Sequence, residues 1–183
     1  MFVGGFDNDG RPIIVLRSAN EKTFDNKGKK CGNLVNLVYN IERAVASIET
    51  RRGSVPDDKW TLLLDFNGYS LFNAPPFETT KWTIKIVQDF YPERLHVAIM
   101  VDAPTLFWGA WKAASPFIDE VTKSKVVWIS GPLESQERLD ALREYVPLDQ
   151  IDRSIGGSQP ESLDYNAERY LAADPLRRTR TAT

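Results

Sequence analysis

One cysteine, Cys31, stands in 183 residues. No internal disulfide can form and no cysteine-based zinc cluster is possible, so a reducing compartment is the simpler setting. There is also one histidine, His96. It opens the apolar run Leu95–Val101, where a structural histidine outweighs a catalytic one, and no Gly-x-Ser-x-Gly elbow supports a serine hydrolase. Long apolar runs are missing too. Nothing approaches the ~18 residues of a membrane span, and Met1–Arg11 lacks the apolar core of a secretory signal. The expectation is a soluble, cytoplasmic protein whose membrane contact is peripheral. Charge of one sign is not in excess: 23 basic residues face 25 acidic ones, for a net charge of −2. A protein built to neutralise nucleic-acid phosphates shows a basic surplus, so no nucleic-acid partner is expected. The loop Asn26-Lys27-Gly28-Lys29-Lys30 lacks P-loop spacing and reads as a solvated turn. Scattered carboxylates give no metal set, and no cofactor is expected.

What remains is an alternation of short apolar runs and amphipathic stretches. Asp9-Gly10-Arg11-Pro12 is a turn leading into the strand Ile13–Leu16. Leu34, Leu37, Val38, Ile41, Val45 and Ile48 recur at helical spacing, for a helix ending near Gly53. Lys59–Asp65 has the continuous apolar centre of a buried strand. A helix is expected from Phe77 to Phe90, stopped at Tyr91-Pro92. The strand Leu95–Val101, a helix over Thr105–Ala114, a strand over Lys125–Ser130 and a helix over Glu134–Tyr145 follow. This order predicts an α/β domain with a mixed, largely parallel sheet and crossover helices. Asp164–Ala173 reads as a last helix, and Pro175–Thr183 as a basic, disordered tail.

Several blocks occur in a recognisable order: Asp9-Gly10-Arg11-Pro12, Asp65-Phe66-Asn67-Gly68, Tyr91-Pro92-Glu93-Arg94-Leu95, Asp102-Ala103-Pro104 before an aromatic helix, Pro116-Phe117-Ile118, Thr122-Lys123-Ser124-Lys125-Val126 and Ile155-Gly156-Gly157. Together they resemble the CRAL-TRIO lipid-binding domain, in the class of secretory-pathway phosphatidylinositol transfer proteins. The resemblance covers roughly Gly4 to Gly157, which places the domain at residues 1–163 and leaves 164–183 as a C-terminal helix and tail. It implies a non-enzymatic protein whose sheet floors a hydrophobic pocket. The pocket would hold a phospholipid or another hydrophobic small molecule, exchanged at a transiently contacted membrane surface.

The resemblance also assigns residues. Leu106, Phe107, Trp108 and Trp111 correspond to a mobile gate helix, with Phe117, Ile84 and Val87 among the pocket residues. The competing explanation is plain core packing. Four bulky residues within six positions cannot all face one way on a helix, however. Glu93, Arg94, Thr122 and Lys125 correspond to the inositol-phosphate contacts of phosphatidylinositol-binding members. Two cations suit a phosphodiester, and a carboxylate with a hydroxyl suits sugar hydroxyls. The alternative is a structural turn common to members with other ligands. Two departures stand out. The chain starts almost at the first strand, so the helical lobe that the family usually carries before it is expected either to be missing from a minimal form or to lie outside a fragment, and Ser115 replaces the lysine expected before Pro116-Phe117. A ligand-free protein-interaction module on the same fold is the alternative function. Val87 stands where phosphatidylcholine-binding members carry a serine.

Overall fold

Ile13, Ile14 and Val15 form the most buried run near the amino terminus, at 0, 2 and 5% exposed. β-Branched side chains that are buried on both faces belong in an interior strand of a covered sheet. The computed structural model describes residues 1–18, 31–70 and 74–159, and in it this run lies within strand β2, Pro12–Arg17. The sheet has five strands: β1 (Phe2–Phe6), β2, β3 (Trp60–Asp65), β4 (Leu95–Val101) and β5 (Val126–Ile129), side by side in chain order. β1 is antiparallel to β2, and the other pairs are parallel. The mixed, largely parallel α/β sheet expected from the alternation is therefore observed.

Parallel neighbours require crossovers, and these are the helices α1 (Cys31–Thr50), α2 (Phe77–Phe90), and the pair α3 (Phe107–Ala114) and α4 (Glu120–Ser124). Each crossover steps one strand in the same direction with the same hand, so all these helices fall on one face. Ile14 and Trp60 accordingly pack with Leu37, Ile41 and Ala44 of α1, and Ala98 and Met100 with Phe107 and Trp111 of α3. The opposite face, carrying Ile13, Leu63, Ile99, Val101 and Ile129, is covered by α5 (Gln136–Arg143) through Leu142, followed by Val146, Ile151 and Ile155. Gly157 permits that last packing: a Cβ there would sit 1.9 Å from the Ile151 carbonyl oxygen.

The expected elements appear with small shifts. The third helix starts at Phe107 rather than Thr105, and the fourth occupies Gln136–Arg143 within the expected Glu134–Tyr145. Strand β1 was not anticipated, because Gly4-Gly5 interrupts its alternation. Nor was α4, whose five residues are too few to show a period. The expected loop around Asn26–Lys30, the helix at Asp164–Ala173 and the tail lie outside the described residues.

The Asp-Gly-Arg-Pro block proves to be an anchor at the amino ends of the strands. Arg11 donates to Asp57 at 2.7 Å and to Asp9 at 2.5 Å, and lies 3.5 Å from Asp7. Asp7 in turn accepts from the Arg11 amide and the Thr61 hydroxyl, each at 2.8 Å. The Arg11 guanidinium holds the Asp57 carboxyl below the usual carboxylate range. Asp65 orders its turn as expected, accepting the Asn67 amide at 2.9 Å. Burial raises its pKa against that bond and the Arg17 charge.

Candidate functional site

The central strand separates the two faces. Leu63 is 0% exposed on the α5 side, whereas its neighbours Leu62 and Leu64, pointing towards α2 and α3, remain partly open. Strand side chains alternate between faces, so three consecutive leucines in one strand sample both environments. On the α5 side Ile13, Val15, Leu63, Val97, Ile99, Val101 and Ile129 are all at most 5% exposed. On the other side Leu16, Leu62, Leu64, Val126 and Trp128 are only partly buried. The pairings Leu62↔Ala98, Leu64↔Met100, Ala98↔Val126 and Met100↔Trp128 make these residues one continuous apolar floor.

Aromatic rings cover the carboxyl end of this floor. Phe107 and Trp111 are four residues apart, hence on one helical face. Phe107 tilts onto Phe66 with centroids 4.4 Å apart, and Trp111 meets Trp128 edge-on at 5.3 Å. Tyr69 closes on Phe107 at 5.8 Å. Trp108 leans on Trp128 at 4.6 Å yet stays 43% exposed, and Leu106 is 52% exposed. The four gate residues thus divide: two face the sheet, one straddles the edge, and one faces solvent. Of the other expected pocket residues, Val87 packs with the α1 cluster around Trp60. Ile84 and Phe117 instead line an open groove of about 340 Å³ along α2, with Trp82 and the ion-paired Lys81 and Lys85. Phe77 and Phe117 meet edge-on at its end, centroids 6.1 Å apart.

The polar candidates sit at the opposite, amino end of β4 and β5. Along β4 six strand steps of ~3.3 Å put Glu93 and Arg94 on the order of 20 Å from its carboxyl end, whereas in β5 three steps put Lys125 on the order of 10 Å from Trp128. Glu93 is exposed and adopts a left-handed backbone, φ 59°. The Arg94 guanidinium donates to the Asp58 carbonyl at 2.9 Å and lies 3.5 Å from its carboxylate. Lys125 extends its ammonium to the Leu95 carbonyl at 2.9 Å, which brings it beside the Glu93–Arg94 turn. Thr122 is engaged elsewhere: its amide donates to Asp119 at 2.8 Å, capping α4. The Thr122 hydroxyl and amide, with Gln88, hold the Asp119 carboxyl down at about 2. Glu93, Arg94 and Lys125 therefore share one sheet edge, with Thr122 one helical turn before Lys125.

Sequence reasoning missed Trp128, Phe66 and Tyr69 as partners of the aromatic helix, and missed Asp119 and Gln88. Alternation within β5 was a usable signal for Trp128, because it places Trp128 and Val126 on one face and Val127 and Ile129 on the other. His96 lies partly buried on β4, where burial and the positive Arg11 lower its pKa. No described helix is long and apolar enough to cross a membrane.

A largely parallel sheet, densely packed on one face and incompletely covered on the other by an aromatic helix, defines a class: α/β domains with one apolar sheet face left partly open. Residues 1–157 match the CRAL/TRIO domain model, and the chain belongs to that family of lipid-binding domains. It is 32% identical over 91% of its length to a CRAL-TRIO domain-containing protein of Schizosaccharomyces pombe, of which it covers 14%. It is 34% identical over 86% of its length to the protein real-time of Aedes aegypti, covering 26% of that protein. The phosphatidylinositol transfer protein PDR17 of Saccharomyces cerevisiae shares 28% identity over 75% of the chain, which covers 39% of it. The crystal structure of Sfh5 superposes with a TM-score of 0.55 at 21% identity, over 69% of this chain and 47% of that one, a likeness of fold. The chain thus spans between 14 and 39% of the length of these curated relatives.

Proposed function

We propose that this domain binds one hydrophobic molecule on the helix-covered face of its sheet, favours a phosphatidylinositol-type phospholipid, and passes it between membranes without chemical reaction. The carrying observation is the unequal burial of Leu62 and Leu64 against Leu63 in the central strand. An apolar floor left partly open in water carries an unrealised gain of about 25 cal/mol per Å². A lipid tail laid along Leu62, Leu64, Val126 and Trp128 would realise it. The helix α3 acts as the gate, lifting Phe107 and Trp111 from Phe66 and Trp128. At the other end Arg94 and Lys125 supply cations for a phosphodiester, and Glu93 and Thr122 supply partners for ring hydroxyls. Phosphatidylinositol is favoured because Glu93, Arg94 and Lys125 stand at the amino ends of β4 and β5, with Thr122 one turn before Lys125, and because a relative bears the name phosphatidylinositol transfer protein. Seven of the nine large exposed apolar residues among those described lie between Phe77 and Val121, on the same helical layer. Such a layer suits brief, peripheral contact with a cytoplasmic membrane surface.

Native mass spectrometry of the purified chain, with extraction and identification of bound lipid, tests this reading. One bound lipid per chain and phosphatidylinositol transfer between vesicles are expected. Absence of both would overturn it. The size of the described clefts favours a second reading, a ligand-free protein-interaction module. The α2 groove of about 340 Å³ and a cleft of about 310 Å³ beside β1 both lie at the low end for ligand sites. A chain that carries no lipid and stays ligand-free after incubation with vesicles would favour that module.

A further inference from the structure

Three separate parts of the chain converge on one guanidinium. Arg138 projects from α5, on the densely packed side of the sheet, and its side chain is 0% exposed. Nη1 donates to Asp102 Oδ1 at 2.7 Å and to the Gly131 carbonyl at 2.9 Å. Nη2 and Nε both donate to the Ile155 carbonyl, at 2.9 and 3.2 Å. A buried guanidinium is costly unless its donors are satisfied and its charge is matched. Here the carbonyls satisfy donors, and Asp102 is the carboxylate that balances the charge.

Asp102 is the first residue after β4, where the chain leaves the sheet for α3. Its φ is 56°, and only Glu93 among the other described non-glycine residues is also positive. A left-handed aspartate persists where surrounding structure holds it. Two bonds do so. Its amide donates to the Ile129 carbonyl at 2.9 Å, tying the backbone to β5, and its carboxylate is gripped by Arg138 from the far side. The backbone angle at Asp102 sets the direction in which Ala103-Pro104 and then α3 depart. The third segment gripped by Arg138 is the turn Arg153–Ile155, which ends at Gly156 with φ 112°.

We propose that Arg138, acting through Asp102, is a positioning residue for the gate. It holds the β4–α3 junction in the orientation that lays Phe107 and Trp111 on the sheet, and it ties that junction to the Ile155 turn. The proposal rests on reading α3 as a gate, but motion of α3 can be measured on the protein alone.

The test is hydrogen–deuterium exchange of the full 183-residue chain and its Asp102→Asn variant, without added lipid, followed by vesicle-to-vesicle lipid transfer by both proteins. Asparagine keeps the side-chain volume and the tolerance of a left-handed backbone, and removes only the charge. The expected result is exchange about three- to tenfold faster in peptides covering 103–114. That is the scale of one charge-assisted hydrogen bond becoming neutral. Peptides of α1 and β3 should stay unchanged, and lipid release should quicken in step. Asp102→Gly, which relieves the backbone and also removes the carboxylate, should loosen α3 at least as much. Unchanged exchange in 103–114, or a uniform rise across the sheet, would overturn the proposal. Selective loosening of α3 with no lipid transfer by either protein would leave the pin standing and remove the lipid reading.

Discussion

The two faces of the sheet are built from the same strands and the same residue types, yet they are finished differently. Towards α5, Leu63, Ile99 and Val101 are each 0% exposed, beneath Leu142 and Val146, which are also 0% exposed. Towards α2 and α3, Leu62, Leu64, Val126 and Trp128 remain partly open under a cover of rings. Charge divides in a related way. The buried Arg138 with its partly exposed partner Asp102, and Arg17, which bonds Asp152 and lies 3.9 Å from Asp65, cluster at the carboxyl ends of the strands near the closed face. A domain that had to be stable and nothing more would seal both faces. The α5 face is closed over Leu63, Ile99 and Val101, whereas the helix-covered face is closed around Ile14, Trp60 and Ala98 but stays partly open at Leu62, Leu64, Val126 and Trp128, the area the proposed ligand would cover.

The comparison can be broken most directly on the closed face. Leu63→Ala should cost about 2–5 kcal/mol in urea unfolding, with or without lipid, because a fully buried leucine leaves a cavity. Its neighbour change, Leu64→Ala, should cost well under half as much in the lipid-free chain and should weaken lipid retention instead. Equal losses at the two positions would erase the distinction between the faces. Trp128→Ala comes next. It removes the ring on which Trp108 and Trp111 rest, and about 1–2 kcal/mol is expected, below the range for a fully buried aromatic. Thermal unfolding would measure that cost, and loss of lipid transfer by the folded variant would mark the open face as the working one.

A smaller effect is expected at the amino-end anchor. Asp57→Asn should cost about 1 kcal/mol at neutral pH, since it removes a partner of Arg11. Because Arg11 lowers the Asp57 pKa, this contribution is present above the ordinary carboxylate range and is lost as pH falls through the depressed value. Urea unfolding at pH 7 and again in acid should show the difference between wild type and variant shrinking towards zero. The smallest change in stability belongs to Glu93→Ala combined with Lys125→Ala, within about 0.5 kcal/mol for surface positions. The same pair should reduce phosphatidylinositol transfer at least several-fold. Transfer that survives both changes would remove these two residues from the headgroup site.

Much of the framework was legible because it is written in local periodicity. The run Leu95–Val101 reads as a strand, and the spacing of Leu34, Leu37, Val38, Ile41, Val45 and Ile48 marks one face of α1. Two elements escaped for local reasons: the Gly4-Gly5 pair hides β1, and α4 is too short to show a period. The aromatic helix was visible as such, but its division was not. Which of Phe107, Trp108 and Trp111 meets the sheet depends on Trp128 and Phe66, which arrive from elsewhere in the chain. Arg138 and Asp102 are 36 residues apart and on different elements, and nothing in their neighbourhoods announces the pair.

By itself, then, the sequence determined the order and type of every main strand and helix from β2 to α5 except the short α4, the parallel sheet that such an order requires, and the ordered blocks that mark the family. Side-chain period and turn chemistry act over a few residues, so they can be read without a structure. Only the tertiary structure decided which face of the sheet is sealed, where the aromatic cover rests, and which carboxylate meets the buried arginine. Those outcomes depend on strand register and on the face each crossover covers, and contacts between segments tens of residues apart set both.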